Sequence, residues 1–194
     1  MHVLFNLPGK NKVPERLNLN PGKTANLQAE LKLKVNAPIL ITTNHAKQKY
    51  REDGICNGAR GFVQAIQCSK EDPEKVEVVW IVLHNQNMGK LYQFEHNHLR
   101  KGFNPGHKDA IPILPTRKTF KPNFGSVEYQ RTNFPLCLAY AVTAHKSQGE
   151  TLEQVIVDFG PDEGLKLKSY ICPGSFYVAI TRVSEGKFFV SKKF

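Results

Sequence analysis

Thr143, His145, Lys146, Ser147, Gln148 and Gly149 crowd into a single stretch of the 194-residue chain, FPLCLAYAVTAHKSQGETL. Together they offer hydroxyls, an imidazole, an ammonium and a carboxamide, hydrogen-bonding groups of several geometries. The apolar run Leu136 to Val142 precedes them and reads as a strand buried on both faces. In open α/β sheets, ligands bind beyond the carboxyl ends of the strands. A helix opening there presents free N–H groups and a positive dipole end to phosphate oxygens. Spacing alone therefore makes this a phosphate- or nucleic-acid-contacting loop, with an ordinary polar loop as the bland alternative. Arg182 is the second residue of interest, because a guanidinium fork can neutralise phosphate oxygens bidentately. Its bland alternative is a surface ion pair.

Three segments in order resemble the Pif (petite integration frequency) family of superfamily-one DNA helicases, which move 5′ to 3′. AYAVTAHKSQGETL is similar to the fifth helicase motif. Leu31 to Val63, LKLKVNAPILITTNHAKQKYREDGICNGARGFV, resembles the family's LKLKxGAPVMLxxN…GLxNGxxGxV segment, and GSFYVAITRV resembles the sixth motif, usually GQxYVALSRV. The resemblance implies an α/β fold: a RecA-like parallel-sheet domain, the second motor domain of a P-loop NTPase-like engine, with a small inserted SH3-like β-barrel. It assigns residues 1–60 and 130–194 to the RecA-like domain and 61–129 to the barrel. It implies that Thr143, His145, Lys146 and Ser147 contact the DNA backbone, and that Gln148, Gly149 and Glu150 lie toward the nucleotide. Arg182 then has a catalytic role, stabilising charge that develops during phosphoryl transfer. Asn57 and Gly58 are expected to be turn residues rather than contacts.

An engine of this class also needs a phosphate-binding lysine and carboxylates that hold Mg²⁺. Gly22-Lys23-Thr24 is a false lead: the P-loop pattern requires glycine at position 17, where the chain has Leu17. The expectation is therefore the carboxy-terminal part of an ATP-dependent helicase. ATP and Mg²⁺ would act in the intact motor, single-stranded DNA and the missing first RecA-like domain would be its partners, and this chain alone would hydrolyse nothing. The rival readings are a stand-alone, non-catalytic nucleic-acid-binding module and a split helicase whose first half is a separate chain.

Composition agrees with a polyanionic partner. The formal net charge is +10, and residues 1–129 carry 19 Lys/Arg against 11 Asp/Glu. The sequence contains no apolar run long enough for a membrane span and no secretory leader pattern. Cys56, Cys68, Cys137 and Cys172 have no paired spacing and read as reduced thiols. Together these features predict an intracellular protein, nuclear or mitochondrial, with no metal site built from protein ligands.

The elements that must position these groups are mostly short strands. Leu31, Leu33 and Val35 alternate with lysines, and Ile39 to Thr43 follows Pro38 as a second strand. Phe62–Gln67, Lys75–Leu83, Leu91–Glu95, Ile111–Leu114 and Ser126–Gln130 read as further strands between turns. Leu152 to Phe159 and Lys187 to Ser191 are strands, and Ser175 to Ile180 is a short helix. Arg100 to Lys121 mixes cations with Phe103 and Phe120. That suits single-stranded nucleic acid, but it reads more simply as a surface loop. His84, His96, His98 and His107 are read as solvated.

Overall fold

The computed structural model of the chain describes residues 3–5, 21–121, 128–143, 147, 151–158, 177–178 and 181–191. It has two compact units, Met1–Tyr140 and Ala141–Phe194. In chain order the strands are β1 (Val3–Phe5), β2 (Leu31–Leu33), β3 (Pro38–Ile41), β4 (Arg60–Cys68), β5 (Val76–Leu83), β6 (Ile111–Ile113), β7 (Thr116–Phe120), β8 (Tyr129–Asn133), β9 (Leu136–Leu138), β10 (Leu152–Asp158) and β11 (Val183–Ser191). Two short helices, α1 (Gln48–Glu52) and α2 (Lys90–Glu95), lie on either side of β4 and β5 in sequence.

The first unit is built on a five-stranded sheet in the order β6-β5-β4-β3-β9, and each of its pairings is antiparallel. This corrects the expected fold class, a RecA-like parallel sheet with a closed SH3-like barrel. The reason lies in the connections. A parallel pair needs a crossover of a dozen or more residues that returns the chain to its starting end. Here β4 and β5 are joined by a short turn. The longer β3–β4 segment folds back on itself, with His45 N–H donating to Ile55 O and Gly58 N–H to Ile41 O. Nor does any sheet close among the described residues: there β7 and β8 pair only with each other, leaving β6 and β9 at the edges of the large sheet. The parallel pairing among the described residues is that of β10 with β11, in the second unit.

β5 is apolar along nearly its whole length. Its nearly continuous apolar run is buried on both faces, as in a parallel sheet, but two different clusters cover it. Val76, Val79, Ile81 and Leu83 join the main core with Leu33, Ile39, Val63, Tyr92, Phe134 and Leu136. Val78 and Trp80 face a second cluster with Ala110, flanked by Leu99 and Phe103. Gly61 permits the close β4–β5 approach: a Cβ there would meet Val82 O at 2.2 Å.

Two other elements differ from expectation. The aromatic stretch 91–95 is helical, because Asp53 Oδ2 accepts the Tyr92 N–H at 2.8 Å and so satisfies a first-turn donor. The strand expected from Leu136 to Val142, buried on both faces, ends at Leu138, with Leu138 and Tyr140 41% and 75% exposed. It is an edge strand whose partner, β3, begins at Pro38, so the ladder has nowhere to continue. Within the stretch read as a surface loop before Lys121, the strand expected at Ile111–Leu114 is β6, whereas β7 was not expected. No helix among the described residues is long and apolar enough to cross a membrane. Cys56, Cys68 and Cys137 form no disulfide with one another, and Cys172 lies outside the described residues.

Candidate functional site

In the second unit, Thr143 is exposed and Ser147 buried, and the Ser147 N–H donates to Thr143 O at 3.3 Å. His145, Lys146, Gln148, Gly149 and Glu150 lie outside the described residues. Tyr177 and Val178 are helical, in the stretch expected to form a helix, and the Thr181 hydroxyl donates back to Tyr177 O at 2.9 Å. This fastens the turn that ends in Arg182. Arg182 O accepts the Leu152 N–H at 2.7 Å, holding the arginine's backbone at the start of the β10–β11 pair. Its side chain donates from Nη2 to Thr181 Oγ1 at 3.2 Å, while Nε is buried without a hydrogen-bond partner. Part of the guanidinium's donor set is therefore uncommitted.

In the first unit the Asn-Gly segment is structural, as its residues suggest. Asn44 Oδ1 accepts the Asn57 N–H at 2.9 Å, and Gly58 takes a φ of 97°. Among the described residues, no cluster of three or more His, Cys, Asp or Glu could hold a metal ion.

A cleft of about 240 Å³ opens in the first unit and was not foreseen from the sequence. It is lined by side chains from β3 and its following loop, α2, and the segment from β6 to β7. Tyr92 and His96 stack with centroids 4.0 Å apart, and His45 meets Tyr92 edge-on at 5.6 Å. Tyr50 supports both from behind, 4.9 Å from Tyr92 and 4.7 Å from His45. His96, read as solvated, is thus half-buried in an aromatic wall.

The electrostatics are one-sided. His45 Nδ1 accepts the Lys47 N–H at 3.1 Å, which leaves the neutral ring's proton on Nε2. Burial holds the His45 pKa below its ordinary value, helped by His96, Lys47, Arg51 and Lys118. Burial also pushes the Tyr92 phenol up to about 12, so it remains a donor. The nearby carboxylate is already engaged: Glu95 accepts from Lys49 Nζ at 2.6 and 2.7 Å and from the Tyr50 hydroxyl. The Lys49 hydrogen bond, followed by that from Tyr50, holds Glu95 below the usual carboxylate range. No Asp or Glu lines the cleft.

No family model matches the chain. Curated relatives do. The ATP-dependent DNA helicase Pif1 of Campylobacter jejuni is 25% identical over 163 residues, covering 84% of this chain and 29% of that protein. The Candida albicans helicase PIF1 is 36% identical over 73 residues, covering 38% and 7% respectively. Human PIF1 is 26% identical over 185 residues, covering 92% of this chain and 23% of its own length. The chain thus spans less than a third of each of these relatives. Among solved structures, the crystal structure of Candida albicans Pif1 aligns with all of this chain and 39% of its own, with a TM-score of 0.61 and 22% identity. Bacteroides Pif1 bound to single-stranded DNA aligns with all of this chain and 35% of its own, with a TM-score of 0.58 and 21% identity. The chain is related in sequence to the Pif1 helicases and shares its fold with a part of them.

Proposed function

We propose that this chain is the carboxy-terminal part of an ATP-dependent 5′-to-3′ DNA helicase that grips single-stranded DNA. The observation that carries the reading is the relationship to Pif1 helicases along most of the chain, 84% of it in the Campylobacter jejuni comparison. Thr143, His145, Lys146 and Ser147 would contact the DNA backbone, and Gln148, Gly149, Glu150 and Arg182 would face the nucleotide. The unpartnered Arg182 Nε supports an anionic partner for that guanidinium. ATP supplies the phosphoryl group in the intact motor. Mg²⁺ would be held by the missing first motor domain, since the described residues offer no acidic cluster for it. Arg182 would neutralise phosphate charge from this side, and this chain alone would not hydrolyse ATP.

The test is single-stranded DNA binding across a salt series, since each neutralised phosphate steepens the salt dependence by about 0.7 for single strands. Weak binding that falls steeply with salt, reduced by His145→Ala and unchanged by Arg182→Ala, is the expected result. A longer form carrying the phosphate-binding lysine should hydrolyse ATP when DNA is added, and Arg182→Ala should abolish that hydrolysis. Absence of DNA-stimulated hydrolysis in the longer form would overturn the reading.

A further inference from the structure

We propose that the cleft walled by His45, Tyr92 and His96 is a binding site for a single nucleotide unit, its base against these rings and its phosphate toward Lys118. This goes beyond the motor reading and stands on the first unit alone. Four observations lead to it.

Size comes first. Liquid water takes about 30 Å³ per molecule, so a 240 Å³ cleft is far larger than a water site. It is also smaller than the roughly 300–1,000 Å³ of pockets that enclose drug-sized ligands. A single flat heterocycle with a short polar attachment falls in that interval.

The second observation is the chemistry of the wall. Aromatic side chains accept bases face-on or edge-on, whatever the base, because every base has a π-face. Tyr92, His96 and His45 supply three rings, while Ile41, Ile55 and Ile113 supply an apolar floor.

Third is an uncommitted donor. Tyr92 is 3% exposed, yet its hydroxyl makes no hydrogen bond among the described residues. Only its backbone N–H and C=O are engaged, by Asp53 and by the chain around His96. The hydroxyl is not sealed off from solvent, so its hydrogen-bonding capacity is open to water or to a ligand in the cleft that Tyr92 lines.

Fourth is charge. Lys118 lines the cleft and makes no ion pair or side-chain hydrogen bond among the described residues. Lys47 and Arg51 stand close enough to His45 to act on it electrostatically, whereas the neighbouring Glu95 is neutralised by Lys49. The result is an anion-attracting mouth over an aromatic wall, which suits a nucleotide better than a bare base or a bare phosphate.

Titration calorimetry of the full 194-residue chain with dAMP, deoxyadenosine and inorganic phosphate tests the site. We expect dAMP to bind about tenfold more tightly than either fragment, since stacking and phosphate contact act together. Lys118→Ala should weaken dAMP binding while leaving deoxyadenosine unchanged. Tyr92→Phe, which keeps the ring, should weaken both by about three- to tenfold, the loss of one hydrogen bond. Equal binding of phosphate and dAMP, no dAMP binding at millimolar concentration, or unchanged binding in both variants would overturn the assignment. A short oligonucleotide that displaces dAMP would identify a single strand as the source of the unit, and one that fails to displace it would identify a free nucleotide. Binding of dAMP that persists in His145→Ala and Arg182→Ala separates this site from the motor residues. Its fate is therefore independent of whether the longer form hydrolyses ATP.

Discussion

Two assemblies in the first unit mix aromatic rings with cations, and they do opposite things with them. Around Trp80, the Arg100 guanidinium lies 5.4 Å from the indole and Phe103 stacks at 6.1 Å. Trp80 is fully buried and its indole N–H donates to Gln67 Oε1 at 3.0 Å. Arg100 Nη2 donates to the carbonyls of Lys108 and Ala110, at 3.0 and 2.6 Å. These donors are all engaged by the protein, so the cluster is a brace that ties the 100–110 loop to β5. Around Tyr92, the rings surround a cleft, and among the described residues neither the Tyr92 hydroxyl nor the Lys118 ammonium makes a hydrogen bond or ion pair. Rings and cations together do not make a site. Unspent hydrogen-bonding capacity beside open space does.

The sharpest way to break the contrast is to remove its anchors. Trp80→Ala should cost about 3–5 kcal/mol of unfolding free energy, because it empties a buried site that cannot collapse fully. Denaturant titration reads that loss, and a cost below 1 kcal/mol would mean that the brace is ornamental. Arg100→Ala removes the charge-assisted hydrogen bonds to the Lys108 and Ala110 carbonyls and should cost about 1.5–3 kcal/mol. Its dAMP affinity, where measurable, should match the parent's; a drop would place Arg100 in the site after all.

The smallest effect concerns His45. Its pKa in the folded state lies below its ordinary value of 6.5. Between those two values the unfolded chain binds more protons than the folded one, so stability falls as pH drops below about 6.5. His45→Asn should flatten that part of the pH–stability curve, measured by thermal unfolding between pH 7.5 and 5, about the range over which imidazole titrates. An unchanged slope would show that another group carries it.

What could be read from the sequence depended on distance along the chain. Local signals held. Asn57-Gly58 formed a turn, Leu31 and Leu33 a half-buried strand, and Val155 to Val157 part of β10. Strand direction did not follow from local pattern, because a strand covered on both faces reads alike in a parallel and an antiparallel sheet. β5 is a strand of that kind, its second face, Val78 and Trp80, being covered by Ala110, Leu99 and Phe103. The α2 helix was misread because the group that supports its first turn, Asp53, lies far away in sequence. The HKSQG motif stands out in the sequence because its residues are contiguous, and the cleft does not because its residues are scattered. The cleft joins His45, Tyr92 and Lys118, residues brought together only once the sheet exists.

β6 sits at one margin of the large sheet, and its middle residue is Pro112. Proline has no N–H to donate, so this margin cannot offer a second chain the unbroken row of donors that intermolecular pairing requires. The proline ring thus guards this margin of the sheet from being extended by a neighbour.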